Sequence, residues 1–122
     1  MPTSKEILEN KPAKYYQFLA ECIKVAEYQG TISYEAIGNV ISQPAINTRH
    51  WAAAVSKDVS EGGHPMLSAV IVGKNNGVPG DGFYQLASNL DHLDQDPESM
   101  SEDEKINFWE NELKKVYETF SK

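Results

Sequence analysis

Three histidines, one cysteine, a glycine-rich loop and a run of carboxylates are the groups in this chain that can do chemistry. His50, His64 and His92 can in principle bind a metal or move protons. No two of them lie at i, i+4, and their spacing assembles no Ser/His/Asp or Cys/His arrangement. His50 stands beside Arg49, where it can contact nucleic acid, whereas His64 reads as a loop residue ahead of an apolar run. The single Cys22 rules out an internal disulfide and a Cys-rich zinc site. It falls on the apolar face of a predicted helix, which makes it a buried structural thiol. Gly77-Val78-Pro79-Gly80-Asp81-Gly82 has no Lys-Ser/Thr after it, so it is not a phosphate loop, and its glycines suit a tight turn. Asp91, Asp94, Asp96 and Glu98 resemble half of a calcium loop but are out of register for one, and read as a solvated charge run. The expectation is a protein with no metal, no cofactor and no reaction.

Charge narrows the partners. The net charge of −7 repels phosphate at long range. The excess is concentrated in residues 91–104, seven acids without one base, while the first half is nearly balanced. A locally neutral nucleic-acid-binding face in that half is therefore compatible with the acidic whole. Clustered carboxylates also offer the opposite use, mimicking phosphates to occupy a basic surface on another protein. With 122 residues the chain is one domain, large enough to bury a core without staples. No apolar run approaches the ~20 residues of a membrane span, and MPTSKEILENKP has no signal-peptide core, so a cytoplasmic location is expected.

The elements that would position these groups follow from periodicity. Thr3 to Asn10 is a short helical lead-in. Pro12 opens a helix over 12–29, whose stripe is Tyr15, Phe18, Leu19, Cys22, Val25 and Ala26, with Gly30 as the C-cap. Thr31-Ile32-Ser33 is extended, and Ser33 caps a helix over Tyr34 to Ile41 with Ala36, Ile37, Val40 and Ile41 inward. Ser42-Gln43-Pro44 breaks it. A further helix starts near Asn47-Thr48, either of which can accept from its first free amides, and buries Trp51, Ala52, Val55 and Val59 before Gly62-Gly63. Met66 to Val72 then predicts a buried strand entering a hairpin through Lys74-Asn75-Asn76-Gly77. Leu86, Ala87, Leu90 and Leu93 suggest a short packed segment, and 91–100 is an acidic connector. Ser101 with Glu104 forms a capping box for an amphipathic helix over 101–121, burying Ile106, Trp109, Leu113, Val116, Tyr117 and Phe120. So much apolar surface requires a partner, either the first long helix or a second subunit.

The order of elements and several strings over residues 30–84 resemble the winged-helix DNA-binding domain of alkylguanine-DNA alkyltransferases and alkyltransferase-like proteins. The carriers are Gly30-Thr31-Ile32-Ser33-Tyr34-Glu35-Ala36-Ile37, then Arg49-His50-Trp51-Ala52, then Pro65-Met66-Leu67-Ser68-Ala69-Val70, then Gly77 to Phe83. The family's Pro-Cys-His-Arg is not kept. Met66-Leu67 replaces Cys-His and Ser68 replaces the Arg, a thioether cannot supply a thiolate, and Cys22 lies on another element. Alkyl transfer is rejected. The resemblance implies two surviving roles: Tyr34 turning a phosphate, and Arg49 entering the base stack as a base flips out.

The sequence thus predicts an α/β, mainly α, winged-helix-like domain with a small β-hairpin wing and flanking N- and C-terminal helices. Its first functional reading is a non-catalytic module that binds nucleic acid or serves a nucleic-acid-processing complex, through Tyr34, Arg49, His50, Lys74, Asn75 and Asn76. The alternative is an acidic protein-interaction module using Asp91, Asp94, Asp96, Glu98, Glu102 and Asp103, or Trp109 and Phe120 of the last helix. That helix also offers a homodimer surface.

Overall fold

The computed structural model describes residues 3–121. In chain order they form α1 (Ser4–Asn10), α2 (Ala13–Glu27), β1 (Ile32–Ser33), α3 (Tyr34–Val40), α4 (Thr48–Glu61), β2 (Ile71–Val72), α5 (Asp81–Asn89) and α6 (Glu102–Phe120). Single 3-10 turns stand at Ala45–Asn47, Leu67–Val70 and Pro97–Ser99. The fold is mainly helical around a two-stranded parallel sheet, in which Ile32 pairs with Ile71 and Ser33 with Val72. No helix among the described residues is long and apolar enough to cross a membrane.

Local chemistry sets the helix starts. Thr3 with Glu6 and Ser101 with Glu104 close full capping boxes on α1 and α6. The Ser33 hydroxyl accepts from the Ala36 amide at 3.0 Å. α4 departs from this pattern, because Asn47 makes no side-chain cap. Its amide donates to Gln43 Oε1 and the Thr48 hydroxyl donates to the Ala45 carbonyl. Both polar groups are thus spent on the preceding turn, and the expected cap is absent. At the end of α2 the left-handed residue is Gln29 (φ 54°), one position earlier than the glycine that was expected to take it.

The core is built on the 66–72 segment, all of it buried. Tyr15, Phe18, Cys22 and Ala26 cover it from α2, and Trp51, Ala52 and Val55 line α4's buried face. Burial also pushes the Cys22 thiol well above its ordinary pKa, as an inert structural thiol requires. In α3 only Ile37 and Ile41 of the four expected residues face inward; Ala36 and Val40 are exposed. The helix is short and lies against the turn before α4, so its buried strip is narrow.

The expected hairpin does not form. Residues 67–70 are a 3-10 turn, β2 is two residues long, and its partner is β1, not a following strand. The Asn-Gly signal does make a tight loop: Gly73 donates to the Val78 carbonyl at 2.8 Å and Gly77 to the Gly73 carbonyl at 3.0 Å. Gly77 holds φ at 70°, where a side chain would be strained. Instead of a second arm, the chain then enters α5 with Gly80 as N-cap. α6 finds its partner within the chain, packing on α2 and on 67–70. Val116 is fully buried, while Trp109, Leu113, Tyr117 and Phe120 pack half-buried against the core.

Gly38 is where α3 meets the chain leading to α4. A Cβ there would stand 2.5 Å from the Gln43 carbonyl oxygen and 3.0 Å from Thr48 Cγ2. Alanine in a helix gains roughly 0.5–1 kcal/mol over glycine, but a backbone clash of this kind costs about 1–3 kcal/mol. The clash wins. Gly38→Ala should lower the urea midpoint with an unchanged m-value; a stabilised variant would refute the close approach.

Candidate functional site

The N-terminal half of α4, the start of α3, the 3-10 turn at 67–70 and the start of α5 enclose an open cavity of about 380 Å³. Tyr34, Arg49, His50, Ser68, Gly80, Phe83 and Leu86 line it, with Ala52 and Ala53. Each is there for a local reason. Tyr34 is the first residue of α3, directly after the Ser33 cap, and its hydroxyl accepts the Gly80 amide at 3.0 Å. That bond joins the beginnings of α3 and α5 across the cavity rim. Arg49 and His50 follow from the position of α4, whose first turn opens on the cavity. Phe83 is fixed by edge-to-face packing on Tyr84 and by Phe108 of α6.

The walls are apolar and the polar groups few, the usual constitution of a pocket that orients a flat organic group. Ser68 lies at the floor. Its amide donates to Ser56 Oγ at 3.1 Å, and the Ser56 hydroxyl donates to Ser68 Oγ at 2.7 Å. This pairing gives the Ser68 hydroxyl no base, so the cavity has a polar floor and not a nucleophile. Arg49 is exposed, and among the described residues no carboxylate pairs with its guanidinium. Burial raises the Tyr34 pKa, opposed by the bond from the Gly80 amide.

The three residues Tyr34, Arg49 and His50 are therefore brought together. Lys74, Asn75 and Asn76 are not part of the cavity but sit on the neighbouring 73–78 loop, exposed. Lys74 pairs with Glu35 at 3.5 Å, a surface contact of little energy. The Asn76 side chain accepts the Val78 amide at 3.2 Å and holds the loop. Ser68, Phe83 and Leu86 were missed in sequence, although Phe83 directly follows the glycine loop.

The acidic residues fall elsewhere. Asp91, Asp94, Asp96, Glu98, Glu102 and Asp103 are all exposed. Asp96 caps the turn at 97–99 by accepting the Glu98 amide, and Glu102 and Asp103 occupy the first turn of α6, where negative charge is favoured. Trp109 points inward and donates to the Ala69 carbonyl at 2.8 Å; Phe120 packs on His64. No group of three metal-ligating side chains occurs among the described residues. One arrangement that spacing concealed does exist: Ser60 Oγ is 2.8 Å from His92 Nε2, and His92 Nδ1 is 3.4 Å from Glu112 Oε2.

Four tyrosines have a pKa raised chiefly by burial: Tyr15, Tyr34, Tyr84 (to about 12) and Tyr117. In the unfolded chain they ionise near 10.0. Their contribution to stability is complete below that pH and is lost as pH rises toward the folded values, because the unfolded state then binds fewer protons. Urea midpoints should stay level through pH 9 and fall between about 10 and 12. Tyr34→Phe should make that fall shallower; an equal slope would mean that Tyr34 titrates alike in both states.

No protein-family model, curated protein or solved structure matches this chain.

Proposed function

We propose that this chain is a nucleic-acid-binding module related to the winged-helix domain of the alkyltransferase-like proteins, with the α3–α4–α5 cavity as its non-catalytic contact site. The observation that carries this reading is one apolar-walled cavity with Tyr34, Arg49 and His50 at its edge and an unpaired guanidinium exposed beside it. Arg49 reaches a phosphate or the base stack. Phe83 and Leu86 give a flat base an apolar wall, and Ser68 offers a polar group at the floor. Lys74 and Asn75 stand on the adjoining loop within reach of a backbone. The docking of α6 on α2 and 67–70 also supports it, since that helix leaves Arg49 uncovered.

A second reading, supported by the exposure of Asp91, Asp94, Asp96, Glu98, Glu102 and Asp103, is an acidic surface that occupies a basic protein partner. Self-association through α6 has less to work with, because Trp109 and Phe120 already pack inside the chain.

Fluorescence anisotropy of labelled single- and double-stranded DNA and RNA at low salt and at roughly 200 mM tests the first reading. Binding should weaken with salt, and Arg49→Ala should weaken it about tenfold, the effect of losing one charged hydrogen bond. The unfolding midpoint should not move. Absence of binding at low salt would overturn the proposal. For the second reading, replacing the six carboxylates with amides should abolish association with an immobilised basic protein such as a histone; undiminished association would count against it.

A further inference from the structure

A second cleft lies at the other end of α4 and shares no residue with the first. It encloses about 350 Å³ and is lined by Leu8, Lys57, Ser60 and Leu90, with the carboxylates of Glu61 and Asp91. Ser60 leads from this cleft into a chain of polar contacts. Its hydroxyl is 2.8 Å from His92 Nε2. The other ring nitrogen, Nδ1, is 3.4 Å from Glu112 Oε2. Glu112 is only 2% exposed and is fixed on its far side, where the same oxygen accepts the Met66 amide at 2.9 Å. Lys115 stands 3.9 Å from its other oxygen.

We infer that Ser60, His92 and Glu112 form a nucleophilic serine site for short-chain carboxylic esters. A buried carboxylate 3.4 Å from Nδ1 favours the tautomer with its proton on that nitrogen. Nε2 then keeps its lone pair for the Ser60 hydroxyl, the arrangement that activates a serine. A purely structural tie between α4, α6 and the 66–72 segment needs the Glu112 bond to Met66. It does not need a hydroxyl at Ser60 positioned at a cleft. Lys57 and Ser60 are three residues apart on α4 and line the same cleft; the Lys57 ammonium donates to the Ser4 hydroxyl at 3.0 Å and has further protons for a developing oxyanion. Leu8 and Leu90 give the acyl chain an apolar wall.

The chemistry balances without a cofactor. Ser60 Oγ adds to the ester carbonyl carbon as its proton passes to His92 Nε2. The tetrahedral intermediate collapses, the bond to the alcohol oxygen breaks, and His92 returns the proton to that oxygen. Water then adds to the acyl-serine with His92 again taking a proton. Collapse breaks the Ser60 ester bond, and the proton restores the hydroxyl. The products are one alcohol and one acid. Ser60 and His92 are the catalytic residues, and Glu112 positions His92.

The test is a fluorophosphonate probe, whose phosphorus is attacked by an activated serine with loss of fluoride, followed by peptide mapping of the intact protein. A single adduct on Ser60 is expected, with slow hydrolysis of p-nitrophenyl acetate that disappears in Ser60→Ala. His92→Gln should slow adduct formation on the order of 100-fold. Glu112→Gln keeps an oxygen for the Met66 amide, so its circular dichroism should stay native while adduct formation slows by at least tenfold. A structural role would leave that rate unchanged. No adduct on the wild-type protein, or hydrolysis surviving in Ser60→Ala, would overturn the proposal whether or not the variants fold.

Discussion

A stretch of backbone with no room for water and almost no ladder to join governs this fold. Residues 66–72 run through the centre, and only Ile71 and Val72 have a strand beside them. Buried amides and carbonyls must be paired, so the neighbouring helices supply side chains in place of a sheet. Glu112 takes the Met66 amide, Ser56 takes the Ser68 amide, and Trp109 donates to the Ala69 carbonyl. Tyr117 extends the same device to the Gly30 carbonyl at 2.6 Å, just before β1. α4 and α6 are therefore fastened by polar bonds of fixed direction as well as by apolar contact. That fixes the floor of the cavity, because Ser68 belongs to the fastened segment.

The cost of this solution is visible at Glu112. A carboxylate at 2% exposure is expensive unless its lone pairs are used. Here an amide, an imidazole and an ammonium surround it. An apolar residue of similar size would avoid the desolvation but leave the Met66 amide without an acceptor, a loss of about 1–3 kcal/mol. The carboxylate is thus retained for the backbone it serves, and His92 is drawn to it from the turn after α5. The buried end of the polar chain, from Met66 to Glu112, follows from the need to satisfy one amide; the Ser60 hydroxyl at its other end does not.

How much of this could be read in sequence depended on how local the cause was. The capping box at Ser101, the stripe of α2 and the break at Pro44 are decided within a few residues and were read correctly; the second capping box, at Thr3, was found only in the structure. The hairpin was misread because Met66 to Val72 has the composition of a strand while its partner, Ile32-Ser33, lies far away and is very short. Nothing in Lys74 to Gly77 distinguishes a turn that returns as a strand from one that leads to a helix. Tyr34 and Arg49 were legible through the family resemblance, and His50 as the neighbour of Arg49. Ser68 and Phe83 were not, since their place depends on how three elements meet. Glu112 was hidden by its type: a glutamate on an amphipathic helix reads as solvated.

An acidic chain with this cavity must bind differently from a basic one, if nucleic acid is its ligand. The cations near the site are Arg49 and Lys74, and Lys74 is shared with Glu35. With one or two phosphates neutralised, counterion release gives a salt slope of roughly −0.7 to −1.4 on single strands. That term is small, and the carboxylates of 91–104 work against it at long range. Stacking of a base on an aromatic wall is worth about 1–3 kcal/mol and is insensitive to salt. Affinity at such a site would depend on what enters the cavity more than on the length of backbone lying across it. An exposed or unpaired base is favoured over a continuous duplex for the same reason, since the duplex must first give up its own stacking.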